Sequence, residues 1–312
     1  MQVHTDINAF KGVQRPVLTT GTFDGVHRGH RKIIERLIER AKREGGESVL
    51  FTFHPHPRMV LFPSDNDLKL LNTQPEKIAL LEAAGLDHLL VVPFSRQFSR
   101  MHATDYVRDV LVGAIGVRSV VIGYDHRFGR NREGDLQLLH QLGERFDFNV
   151  EEIPAQEVDH IKVSSTKIRH ALSDGEVRSA NELLGYRYPI TGVVVKGDQL
   201  GRKLGYPTAN IGAIDAFKLV PGDGVYAVRV ELKEGGYDGM MYIGERPTLE
   251  GSAGQRNAEV NIFDLDRDLY GEAITVRFIE RIRPDIRFNG LDELKHQLGM
   301  DREKAIEHLR RS

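Results

Sequence analysis

The strongest constraint on the fold of this 312-residue chain is a change of periodicity near residue 186. From Pro16 to about Gly185, apolar runs of strand length alternate with stretches whose apolar residues recur at helical spacing. Residues 17–22 read as a buried strand, and Ile33, Ile34, Leu37, Ile38 and Ala41 behind it form one helix face. Residues 48–53, 89–94 and 119–123 and a segment near Val150 read as further strands, while 104–115 and 136–146 read as helices. Such alternation implies right-handed crossovers and a parallel sheet with helices on both faces. Ser164, Ser165 and Thr166 open another helix, and residues 176–184 form a last one that Gly185 can end in a left-handed conformation.

After Tyr186-Arg187-Tyr188-Pro189 the pattern turns to β, with strands at 190–195, 225–232, 240–243, 258–265 and 274–282 separated by glycine-rich turns. This half reads as a small antiparallel barrel, closed by an amphipathic helix over 291–309 bearing Leu291, Leu294, Leu298 and Ile306. The expectation is therefore an α/β chain of two domains without internal repeat: 1–185, Rossmann-like, and 186–312, a small barrel with a terminal helix. The length alone agrees, at roughly 150 residues per domain.

Composition narrows the chemistry. Lys plus Arg number 43 against 45 for Asp plus Glu, a net charge of 43 − 45 = −2, so no basic excess exists to hold a nucleic acid backbone. The absence of cysteine excludes disulfides, thiolate nucleophiles and cysteine-bound metals. The first residues carry no basic-then-apolar signal pattern, and no apolar run approaches the roughly 18 residues of a membrane helix. These features read as a cytoplasmic protein without a membrane partner.

The run GTFDGVHRGH, residues 21–30, falls where the first strand gives way to the first helix. Ligands of open α/β sheets bind at the carboxyl ends of strands, and a helix N-terminus offers free N–H groups to phosphate. His27 and His30 straddle the first helical turn, and Gly25 and Gly29 leave room for a triphosphate. A phosphoryl or nucleotidyl transfer needs mainly positioning and charge stabilisation, which paired imidazoles can supply. No H-E-x-x-H zinc motif and no Walker A sequence is present. Ser164, Ser165 and Arg169 add hydroxyls and a guanidinium at a second helix start, a pattern that also suits an ordinary cap with a solvated arginine.

In the β half, residues 197–210 run GDQLGRKLGYPTAN: glycine turns followed by Thr208 and Asn210, oxygen donors suited to magnesium, although a plain hairpin loop has similar composition. Glu259, on a strand expected to face the same barrel mouth, is either a general base or a solvated strand residue. Arg277, Arg281, Arg283 and Arg287, interleaved with Glu280 and Asp285, read as a solvated face.

Taken together, GTFDGVHRGH, FTFHPHP at 51–57, GYDHRFG at 123–129 and VSSTKIRHAL at 163–172 resemble the adenylyltransferase half of bacterial bifunctional riboflavin kinase/FAD synthetases. GRKLGYPTAN, GVYAV at 224–228, IGERPT at 243–248 and AEVNIFDLDRDLYG at 258–271 resemble the kinase half, in the same order. The resemblance implies two ATP-dependent steps: riboflavin to FMN in the barrel, then FMN to FAD with release of pyrophosphate in the α/β domain. It implies His27 and His30 as catalytic residues at the ATP phosphates. It further implies nucleotide contacts by Gly21, Phe23, Gly25, Gly29, Asp125, Ser164, Ser165, Arg169, Gly201 and Asn210. Thr208 and Asn210 are implied as Mg2+ residues and Glu259 as the base for the ribityl 5′-hydroxyl. His126, Tyr242 and Asn261 stand where the family often has Phe, Asn and His. His54 and His56 suit a local structural role as well as a substrate contact.

Overall fold

Six mutually parallel strands build the first half of the chain, as the alternating pattern requires. They are β1 (Gln2–His4), β2 (Val17–Thr20), β3 (Ser48–Phe53), β4 (His88–Val92), β5 (Ser119–Gly123) and β6 (Asn149–Ile153), in the order β1-β4-β3-β2-β5-β6. The computed structural model describes residues 1–64, 67–154, 163–197, 200–245 and 256–312. Asp198, Gln199 and the Arg246, Pro247 and Thr248 of the IGERPT run lie outside them.

Successive side chains of a strand point to opposite faces, and the core divides accordingly. Val17, Leu50 and Leu89 pack with Ile34, Leu37 and Ala41 of the Arg28–Glu44 helix; Leu18, Val49, Phe51 and Leu90 pack with Tyr106, Val107, Val110 and Leu111. The expected regular helix over 104–115 is instead a turn of α-helix, Ala103–Asp105, continued as a π-helix, Tyr106–Ala114. Its buried residues recur at i, i+1, i+4 and i+5, a spacing too short to separate the two windings. The edge strand β1 and the capped Gln74–Ala83 helix were not expected from the periodicity.

By its compactness the chain divides into residues 1–68 with 72–164, and residues 69–71 with 165–312. In the second unit β7 (Pro189–Val195), β8 (Ala209–Gly212), β9 (Gly224–Leu232), β10 (Gly235–Glu245), β11 (Arg256–Ile262) and β12 (Ala273–Arg283) close an antiparallel barrel in the order β10-β11-β8-β7-β12-β9. The Leu291–Arg310 helix packs Ala305 and Leu309 against Ala227, Met240, Phe263 and Ile279.

The change of periodicity near Gly185 and the compact division at Ser164 to Ser165 do not coincide. The Ser165–Ser173 and Val177–Leu184 helices sit with the barrel, where Asn181 Nδ2 donates to the Phe278 carbonyl at 2.9 Å and Asn181 Oδ1 accepts from Tyr188 N at 2.8 Å. Residues 69–71 also belong to the barrel unit, through Leu70 N to the Phe217 carbonyl at 2.6 Å and Lys218 Nζ to the Leu71 carbonyl at 2.8 Å.

One expectation is corrected. The arginines of β12 are not simply a solvated face: Arg283 holds the fully buried Asp301 at 2.8 Å, and Arg281 donates to the carbonyls of Asp174 and Asp223. Arg277, paired with exposed Glu231 at 2.6 Å, and the exposed Arg287 beyond the strand fit that reading. A buried carboxylate needs a partner more than the surface needs charge.

Candidate active sites

The chain builds β2, β3 and β4 outward on one side, then returns to place β5 on the other side of β2. The switch point of the sheet therefore lies between β2 and β5, and the turn leaving β2 opens into it. That turn is held in an unusual backbone. Phe23, Gly25 and Val26 have φ of 46°, 90° and 35°, a left-handed region that a β-branched residue such as Val26 rarely enters. Burial of Phe23 and Val26, with Val26 N donating to the Phe23 carbonyl at 3.2 Å, over-determines the conformation.

His27 is the N-cap of the Arg28–Glu44 helix: its Nδ1 accepts from His30 N at 3.2 Å. A neutral His27 ring accepting at Nδ1 carries its proton on Nε2. The two imidazoles stack, 3.6 Å between centroids and 11° between planes, with the Phe23 ring 4.8 Å from His30. Burial first, then the charges of His27 and Lys77, hold His30 well below the usual imidazole range. His30 is thus a hydrogen-bonding imidazole at neutral pH rather than a fixed cation. Glycine at 21 and 29 serves packing: a Cβ at Gly21 would lie 3.0 Å from the Phe23 ring, and one at Gly29 3.1 Å from Val163 and 3.3 Å from the His27 ring.

Lys77 went unnoticed in the sequence because it lies far along the chain on a helix without a motif. Its Nζ, nearly inaccessible, donates to the Thr22 carbonyl at 2.8 Å beside buried Asp24. The one available signal is a lysine next to the apolar Ile78 and Leu81 of that helix.

Asp125 is exposed in the turn after β5, at the same end of the sheet as the histidine turn. Its neighbour His126 stacks on Phe128 at 6.0 Å, and burial drives its pKa down to about 4. Phe51, Phe53, Phe98, Tyr106 and Phe128 form a continuous aromatic row, and Tyr106 OH reaches Thr20 Oγ1 at 3.5 Å. His56 caps the Pro57–Leu61 helix through Nδ1, the local role the sequence allowed. Ser164 ends the first unit, whereas Ser165 and Arg169 lie on the first helix of the second, where Arg169 Nε donates to the Lys69 carbonyl at 2.8 Å.

The second site is assembled across the barrel ladder. In register, Glu259 of β11 faces Asn210 of β8 on one side and Tyr242 of β10 on the other. Thr208 Oγ1 donates to Glu259 Oε2 at 3.0 Å, Asn257 Nδ2 donates to Glu259 Oε1, and the same Nδ2 lies 3.5 Å from Asn210 Oδ1. Asn261 Nδ2 donates to the Pro207 carbonyl at 2.7 Å and so fixes the turn into Thr208. The glycine loop approaches closely, since a Cβ at Gly201 would meet the Tyr206 carbonyl at 2.3 Å and Thr208 Oγ1 at 3.3 Å. A cavity beside Thr208 is lined by Arg202, Pro207, Val260, Leu269 and Tyr270. The sequence marks Asn261 only as a departure from the family's usual His and gives Asn257 no role, yet period-2 spacing with Glu259 puts all three on one strand face.

The Thr208 hydroxyl and the Asn210 amide oxygen are hard-oxygen donors of the kind that fits Mg2+, which normally completes its shell with water and phosphate. Among the described residues no cluster of three His, Cys, Asp or Glu side chains suits a metal, and no helix is long and apolar enough to cross a membrane.

Known proteins bear on both sites. A family model described as FAD synthetase matches residues 11–167, and one described as riboflavin kinase matches 184–309. A bifunctional riboflavin kinase/FMN adenylyltransferase of Escherichia coli is 39% identical over 93% of this chain and 92% of its own. One from Bacillus subtilis is 36% identical over 94% and 92%. A crystal structure from Streptococcus pneumoniae, described as a macrolide-efflux protein, matches with a TM-score of 0.87 at 33% identity, covering 97% of both chains.

Proposed function

The chain belongs to the bifunctional riboflavin kinase/FMN adenylyltransferase family, and from that premise we propose how its residues divide the two reactions. It is a transferase that phosphorylates riboflavin to FMN and adenylylates FMN to FAD, with ATP as substrate of both steps. Phosphorylation is assigned to the domain of residues 186–312 and adenylylation to that of residues 1–185, each half with its own site.

In the barrel, Glu259 takes the proton of the riboflavin 5′-hydroxyl as that oxygen attacks the γ-phosphorus of ATP, and ADP leaves. The Thr208 and Asn257 bonds hold the carboxylate in one orientation, which is what a base needs before the substrate arrives. Thr208 and Asn210 would hold Mg2+, which when bound neutralises charge on the phosphates. Gly201 and the cavity by Arg202 and Tyr270 receive the nucleotide.

In the sheet domain, a phosphate oxygen of FMN attacks the α-phosphorus of ATP and pyrophosphate leaves. His27 and His30 donate N–H bonds to the oxygens on which charge develops, and the helix N-terminus adds backbone donors. Gly21, Phe23, Gly25 and Gly29 shape this pocket, Asp125 takes the adenosine, and Ser164, Ser165 and Arg169 take the distal phosphates. Of the aromatic row, the partly buried Phe53 and Phe98 offer the isoalloxazine a stacking surface. Both reactions consume ATP, which agrees with a cytoplasmic location.

The observation that carries this reading is the convergence of Thr208 and Glu259, 51 residues apart, on one carboxylate hydrogen bond. Incubation with ATP, Mg2+ and either riboflavin or FMN, followed by chromatography, tests it. FMN from the first substrate and FAD from the second are expected; absence of FAD from FMN would sink the assignment of the histidine turn.

A further inference from the structure

We infer that Lys77 is a positioning residue for adenylyl transfer, acting through the 21–26 turn that carries His27 and His30. An ammonium left in the interior is costly unless it is paired and hydrogen-bonded. Lys77 is 7% exposed and its helix continues into the apolar Ile78 and Leu81, so an apolar residue would suit the packing better. The ammonium is aimed at the functional turn: it donates to the Thr22 carbonyl at 2.8 Å, and the buried Asp24 carboxylate supplies the opposite charge. Asp24 also accepts from Asn72 N at 3.4 Å, which ties the turn to the residue just before the capping box of that helix.

Two consequences follow for the chemistry. The left-handed backbone at Phe23 and Val26 persists only if its surroundings over-determine it, and Lys77 fixes the carbonyl immediately before Phe23. The ammonium also acts on the imidazoles. The groups facing His30 are His27 and the Phe23 ring from its own turn and Lys77 from the neighbouring helix, with Asp24 beside Lys77. A cation there opposes protonation of His30, so the ring reaches the phosphates as a neutral donor, while the Asp24 carboxylate counters the burial that lowers the Lys77 pKa.

The inference rests on placing adenylyl transfer at His27 and His30. Its test is steady-state FMN adenylylation from pH 5 to 9 by the full chain carrying Lys77→Met or Lys77→Arg, with riboflavin phosphorylation as the control for intact protein. Lys77→Met should lower kcat roughly ten- to a hundredfold, the scale of a misplaced catalytic group, with a much smaller change in KM for ATP. Removing the cation eases protonation of His30, so the acid limb of the profile should move to higher pH. Lys77→Arg should restore part of kcat and leave the limb in place. A kcat within twofold of wild type for Lys77→Met, or a reduced kcat with an unmoved limb, overturns the inference and leaves Lys77 a packing residue. Should Lys77→Met fail to fold, the His30 ring of the wild-type chain decides by NMR titration: it must stay neutral well below pH 6.5, and titration at an ordinary imidazole value overturns the inference. Failure of the site itself would look different, since His27→Ala would then leave adenylylation unchanged.

Discussion

The paired imidazoles of the first site come from one local run, with His27 and His30 on a single helical turn and the Nδ1 of one accepting from the backbone of the other. In the second site Thr208 and Glu259 are 51 residues apart and meet only because β8 and β11 pair. The first stores its order in a strained, buried backbone; the second stores it in a strand register, with Asn257 and Asn261 holding the carboxylate and the turn from the same strand face. A site built on a turn is sensitive to whatever braces that turn from outside, here Lys77. A site built on a ladder is sensitive to the side chains that flank its base.

The largest expected effect tests whether the sites are independent at all. Glu259→Gln removes the base while keeping its hydrogen-bonding shape, and FMN formation from riboflavin should fall by roughly 10²–10⁴ with FMN adenylylation unchanged. Loss of both activities in a folded chain would break the comparison. His27→Ala is the converse: adenylylation should slow about 100-fold or more, as for loss of one transition-state donor, while phosphorylation persists. Because His27 is also the N-cap, the same variant should unfold more easily by about 1 kcal/mol, measured by urea titration.

A smaller effect separates base from brace. Asn257→Ala leaves Glu259 ionisable but frees one carboxylate oxygen, so kcat for phosphorylation should drop about tenfold, the worth of one hydrogen bond to a charged group. An unchanged kcat would show that Thr208 alone orients the carboxylate.

The contrast also explains what the sequence makes legible. GTFDGVHRGH is readable because strand, turn and helix are consecutive, so motif and geometry coincide. Lys77 is invisible because a buried cation leaves no periodic trace, and only the fold brings its helix to the carboxyl end of β2. In the barrel, alternation predicts which residues share a strand face, but not that β11 pairs with β8, so Asn257 could be grouped with Glu259 without a role. The two helices between Ser165 and Leu184 carry the same helical periodicity as those of the sheet domain, and contacts the periodicity does not encode tie them to the barrel, among them Asn181's bonds to Phe278 and Tyr188 and the bond from Gly222 N to the Leu172 carbonyl.

The smallest effect concerns acid. His126 has a pKa of about 4 in the folded chain, chiefly through burial, against roughly 6.5 when unfolded. As pH falls below 6.5 the unfolded state therefore takes up the proton first, and the stability present at neutral pH is lost progressively toward pH 4. The ring keeps part of its hydration, so about 1–2 kcal/mol between pH 7 and pH 5 is the expected share, read as the part of the change in urea-unfolding free energy that His126→Phe abolishes. His30 and His4 are displaced in the same direction, in both cases chiefly by burial, and all three lie in the sheet unit. Acid should then unfold the histidine-turn unit before the barrel, and adenylylation should be lost at higher pH than phosphorylation survives. A chain that loses phosphorylation first, or a His126→Phe variant with an unaltered pH dependence, would show that the buried imidazoles do not set the difference between the two halves.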